Sequence, residues 1–183
     1  MMRQIAAVLI LPTVAMAAGA GKVPAGACSL IPSAAIQRAF GEPIANAKPL
    51  SQIAGELSYS HCFYSLPTFT NSISLSLTGP SPADADHNAA RELWQRWFHG
   101  AANDADRDAP GSSEEREAAA KAAPVPDLGD EAFWVHSFVG NLYVLKGSTF
   151  LRISIGGKLT DAERQARARA LAVAALRNLD RRH

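Results

Sequence analysis

The side chains best suited to chemistry stand next to each other. His61 and Cys62 lie in "SHCFYSL", and the one other cysteine, Cys28, lies in "AGACSL". A thiolate with an imidazole base, a pair of metal ligands and one half of a disulfide would each use these residue types. Adjacent residues of a strand point to opposite faces, so His61 is poorly placed to take a proton from Cys62. In an oxidising compartment an isolated pair of cysteines is most simply a disulfide. A Cys28–Cys62 bond closes a loop of about 35 residues and adds roughly 3 to 4 kcal/mol in the chain-entropy account.

A second grouping, "DADH", places Asp84, Asp86 and His87 close together, with His61 or His136 as further ligands from strands. Zinc needs three or four donors converging at about 2 Å, and this spacing alone does not supply them. Acids at a helix start and a surface histidine explain the same residues, so no metal and no cofactor are expected. There is no G-x-S-x-G elbow, phosphate-binding loop, dinucleotide turn or H-E-x-x-H helix. No catalytic residue is assigned; a hydrolase or metal enzyme built around His61, His87 or His136 is the lesser alternative. After "LGDEA", Trp134, His136 and Phe138 share one face of a strand, while Phe133, Val135 and Val139 share the other. Such a strand is either covered on both sides or exposes a row that would bind a protein partner or a small ligand.

The elements that position these residues follow from the rest of the chain. Arg3, the apolar run Ile5 to Val14 and the small residues Ala15 and Ala17 have the layout of a secretory signal peptide, 1–17, with a cut after Ala17 or Ala20. Cys28 stands behind a Gly, Lys and Pro cluster, which argues against its acylation. A soluble periplasmic or secreted protein without a transmembrane segment is therefore expected, with 18–183 as a single domain. Loss of Arg3 leaves 17 acids balanced by as many Lys and Arg, so no overall charge draws the chain to nucleic acid. The charge is uneven: 12 acids against 5 bases from Asp84 to Glu131, then 9 bases against 3 acids from Lys146 to His183. The basic final segment is thus an alternative interaction face.

Along the chain, Pro32, the stripe Ala35, Ile36, Ala39 and Phe40, and Gly41 with Pro43 predict a short helix. Residues 42–56, with two prolines, read as a loop. "ELSYSHCFYSL" and "TNSISLSLTG" read as hairpin strands, the second alternating Ile73, Leu75 and Leu77 with serines. Ser81 as N-cap and the stripe Ala90, Leu93, Trp94, Trp97 and Phe98 predict a helix to Gly100. Residues 101–126 read as an exposed polar excursion, with a helical turn or two around Ser112 to Lys121. Three strands follow, turning at "VGNL" and "KGST". A last helix opens on Thr160 and Glu163 and buries Leu171, Ala172, Ala175, Leu176 and Leu179. The order α-β-β-α-β-β-β-α is that of an α+β fold, an antiparallel sheet with helices packed on it.

The arrangement of "ACSLIPSAAIQRAFGEP", "SHCFYSL", "VPDLGDEAFW", "LYVLKG" and an Ala-rich final helix resembles small exported bacterial cell-envelope proteins of unknown function, many of them lipoproteins. The resemblance implies a Mog1/PsbP-like αβ sandwich and no catalytic residues. The function expected is a non-enzymatic binding module for a protein or small ligand in the cell envelope; the alternative is a structural or interaction component using the basic last helix.

Overall fold

The computed structural model describes residues 26–100, 122–137 and 139–181. The signal segment 1–17 with its cut sites, most of the polar excursion (101–121), Phe138 and the last two residues lie outside the described residues.

Seven antiparallel strands form one sheet, so the fold is α+β. In chain order the elements are a 3-10 turn Ala27–Ser29, α1 Ser33–Phe40, β1 Asn46–Ala54, β2 Leu57–Ser65, β3 Ser72–Pro80, α2 Ala89–Phe98, β4 Ala123–Pro124, β5 Glu131–Val135, β6 Asn141–Lys146, β7 Thr149–Ile155 and α3 Asp161–Asp180. The sheet order is β1-β2-β3-β7-β6-β5-β4. Two meanders thus meet in the middle, where β3 pairs with β7 from Ile73↔Ile155 to Thr78↔Phe150.

One face of the sheet packs on α1 and α3. Cys62, Tyr64, Ile73, Leu75, Leu142, Val144, Leu151, Ile153 and Trp134 meet Ile36, Leu171, Ala172, Ala175 and Leu179 there. α3 starts as its sequence dictates: the Thr160 side chain accepts from the Glu163 N–H, and the Glu163 carboxylate accepts from the Thr160 N–H at 2.8 Å. α1 ends at Gly41 with φ 72°, a backbone geometry that glycine adopts without strain. The other face carries α2, whose Leu93, Trp94, Trp97 and Phe98 pack on Phe133, Tyr143, Leu145 and Phe150. Phe98 stacks on Phe133 at 4.6 Å, and Trp94 lies 4.4 Å from Phe98.

Three boundaries differ from the sequence reading. Residues 46–54, read within a loop, form β1; every residue of it is exposed, so no alternation marked it, and an edge strand tolerates Pro49. α2 begins at Ala89 instead of near Ser81. Ser81 and Asp84 divert the chain into turns, with Ser81 Oγ accepting from the Ala83 N–H and the Asp84 carboxylate from the Ala89 N–H. Within the segment read as an excursion, Ala123 and Pro124 pair with Trp134 and Phe133 as a second edge strand, β4.

Candidate functional site

Cys28 and Cys62 are joined in a disulfide, and among the described residues no cysteine is free. The bond ties the turn before α1 to β2. Around it the Ala27 N–H donates to Ser60 Oγ at 2.8 Å and the Tyr64 hydroxyl to the Cys28 carbonyl at 3.0 Å. Burial pushes the Tyr64 pKa up to about 12, so this phenol stays a donor at any ordinary pH. Cys62 is fully buried on the helix-covered face, whereas His61 points to the opposite face.

The strand proposed as a ligand row is covered on both sides. Trp134, 1% exposed, lies in the core beneath α3, and Phe133 lies against α2. The Trp134 indole donates to the Asp161 carboxylate at 3.3 Å, and His136 Nδ1 is 3.2 Å from the same oxygen. His136 is exposed just past the end of β5 and fastens that end to the start of α3. Trp134 and His136 therefore do not form one presented surface, and Phe138 lies outside the described residues.

Asp84, Asp86 and His87 do not converge as metal ligands. Asp84 is buried and spends an oxygen on the Ala89 N–H, while Asp86 and His87 are exposed on the turn. Among the described residues no three His, Cys, Asp or Glu side chains group as a metal site. The basic face of α3 is largely occupied: Arg167 stacks 5.0 Å over Phe40, Arg164 donates to the Gly157 carbonyl at 2.8 Å, and Arg169 to the Pro126 carbonyl at 2.8 Å. The "LGD" segment is also structural. The Asp130 N–H donates to the Leu145 carbonyl and its carboxylate accepts from the Gly147 N–H at 2.7 Å, with φ 67° at Gly129 making the turn.

An arrangement that the sequence reading did not assemble lies on the α2 face, beyond the helix. Opposite residues of paired strands share a face, which places two rows side by side across the sheet. One runs Lys48, Phe63, Ser74, Ser154, Asn141; the other runs Leu50, His61, Ser76, Arg152, Tyr143. Leu50 and Phe63 are exposed, at 62% and 39%, and His61, the three serines and Arg152 are half-buried. Asn141 is the organising polar group: its side-chain oxygen accepts from Arg152 Nε at 3.1 Å and from the Ser154 hydroxyl, and its amide donates to Ser137 Oγ. Arg152 also lies over the Tyr143 ring at 5.8 Å.

His61 Nε2 hydrogen-bonds with Ser74 Oγ at 2.8 Å. Burial, and then the positive charge of Arg152, hold its pKa below the ordinary 6.5, so the imidazole is neutral at pH 7. Neither row carries an Asp or Glu. The surface therefore presents the Ser76 hydroxyl, an imidazole, the Lys48 ammonium, the Arg152 guanidinium that Asn141 positions, and two apolar side chains. The serine alternation in β3 announced its water-facing side, but placing Arg152 and Leu50 beside it required the strand pairing. Surface hollows of about 400 and 410 Å³ lie elsewhere, along the outside of α2 and over residues 124–133.

Among the described residues no helix is long and apolar enough to cross a membrane. Compared with models of known protein families, with curated proteins and with solved structures, the chain matches none.

Proposed function

We propose that the chain is a non-enzymatic binding module of the bacterial cell envelope, exported to the periplasm or beyond, of the Mog1/PsbP-like sandwich type. It binds an anionic ligand with an apolar portion on the rows around His61, Phe63 and Arg152. The observation that carries this reading is the composition of the two rows: Lys48 and Arg152 as cations, no Asp or Glu among the described residues of either row, and Leu50 and Phe63 left in contact with water. The disulfide supports the export part, because such bonds persist in oxidising compartments.

The test is an amide-shift titration of the isotope-labelled protein with decanoate and with its neutral amide. Decanoate is expected to shift the amides of Lys48, His61, Phe63, Ser76 and Arg152, and the amide analogue to do so far more weakly. Equal or uniformly scattered shifts would count against the reading. Protonating His61 adds a positive charge beside a bound anion, so binding takes up a proton and tightens as pH falls through the ordinary histidine range and below it, toward the depressed pKa of the free protein. His61→Gln is expected to flatten that dependence.

A further inference from the structure

Beyond ligand binding, the two ends of the sheet differ in a way that points to assembly. β4 is a two-residue edge containing Pro124, whereas β1 is a nine-residue edge exposed along its whole length. Long free edges present rows of backbone donors and acceptors to another strand. Two of the four exposed large apolar side chains among the described residues, Leu50 and Ile53, lie on β1, 62% and 65% exposed. Three residues apart on a strand, they point to opposite faces. A ligand lying on one face would cover one of them; a strand added at the edge flanks both.

We propose that β1 pairs antiparallel with β1 of a second copy, about a two-fold axis through Gln52. The register follows from hydrogen-bond geometry. Ala54 and Leu57 close β1 and β2 over the two-residue loop Gly55–Glu56, with φ 59° at Gly55 and Glu56 not in the left-handed region, a type II′ turn. The closing pair of such a hairpin exchanges both backbone bonds, so even-numbered residues of β1 bond to β2 and Ala47, Pro49, Ser51 and Ile53 direct their backbone groups outward. Pro49 has no N–H to offer, which is harmless to β2 and removes one outward donor.

Opposite residues of an antiparallel pair share a face, so the axis must pass through a residue. With the axis at Leu50 or Ser51, Pro49 faces Ser51 or Ile53 of the other copy and leaves its carbonyl without a donor. With the axis at Gln52, Ser51 and Ile53 of each copy exchange four bonds, and Pro49 faces Gly55. The Gly55 carbonyl already accepts from Ser81 Oγ at 2.8 Å, so the missing donor costs nothing there. The same register sets Leu50 against Ala54 and directs the exposed Lys48 of each copy toward the exposed Glu56 at the hairpin tip of the other, twice by symmetry. An isologous contact of this kind is closed and stops at two copies.

The experiment is sedimentation velocity on the disulfide-bonded chain at about 100 μM, an upper concentration chosen because a small edge contact is expected to be weak, together with cysteine cross-linking. A species of twice the chain mass is expected. Gln52→Cys should cross-link between copies on mild oxidation, because facing residues of a non-hydrogen-bonded pair lie about 4.5 Å apart at Cα. Leu50→Cys should not, its two copies standing about 13 Å apart along the strands. Lys48→Glu should weaken the dimer about tenfold through two like-charge contacts, and adding Glu56→Lys should restore it. A monomer at that concentration, cross-linking by Leu50→Cys as strong as by Gln52→Cys, or a charge swap that fails to restore pairing would overturn the proposal.

Discussion

The two faces of this sheet are built from the same strands and do different work. The face under α1 and α3 is closed, apolar and stapled, with Cys62, Leu75, Leu142, Leu151 and Ile153 completely buried and the disulfide holding the turn before α1 onto β2. The opposite face is divided. Toward β5 the aromatic side chains of α2 seal it, and toward β1 serines, His61, Phe63 and Arg152 meet solvent. On the first face large side chains pack beneath helices; on the open part of the second, hydroxyls, an imidazole and a guanidinium reach solvent. This difference is what substitutions should expose.

The largest effect is expected on the closed face. Replacing both Cys28 and Cys62 by alanine should lower stability by about 3 to 4 kcal/mol, read as the shift in urea midpoint at unchanged slope. A loss as small as that of an open-face serine would mean that the turn before α1 is held by its hydrogen bonds with Ser60 and Tyr64 and by the Asn178 amide, which donates to the Leu30 carbonyl at 2.9 Å. Next comes Gly140→Ala. Gly140 has φ 65°, and a Cβ there would run into the Trp134 ring, so strain and displacement of the indole should cost about 2 to 4 kcal/mol and change the tryptophan fluorescence.

The sealed part of the second face should show a smaller effect that depends on pH. Burial acts to raise the Glu131 pKa, but hydrogen bonds from His99 and from Trp94, the latter at 2.6 Å, outweigh it and leave the carboxyl below its ordinary 4.5. A depressed carboxylate contributes stability above its unfolded pKa and loses it as pH falls through the folded one. Wild type should therefore lose stability more steeply below about pH 4.5 than Glu131→Gln, as thermal melts across that range would show. The smallest effect is expected on the open rows. Ser76→Ala should change stability by no more than about 0.5 kcal/mol; a loss of several times that would show the surface to be structural, and would blur the contrast between the faces.

The strongest local signals were legible without a structure. The capping box at Thr160 and Glu163, the buried stripe of α3 and the glycine turn at Gly140 all formed as their residues dictate. The serine alternation of β3 correctly marked one face as wet. Two features were hidden for identifiable reasons. β1 has both faces in solvent, so its side chains carry no period of two, and Pro49 reads as a breaker unless the strand is known to be an edge. The Trp134 row looked like a surface because both faces of β5 are apolar; α2 and α3 each cover one of them.

The sequence by itself determined where α1 ends and α3 starts, which strand alternates with serines and which two cysteines could pair, because caps, glycine turns and periodicity act over a few neighbouring residues. Only the tertiary structure decided that β3 lies against β7, and with it that His61, Ser76 and Arg152 stand in one row. That pairing joins strands some 75 residues apart and is set by how two meanders bury their apolar faces under α1 and α3, a condition that no local pattern in the chain contains.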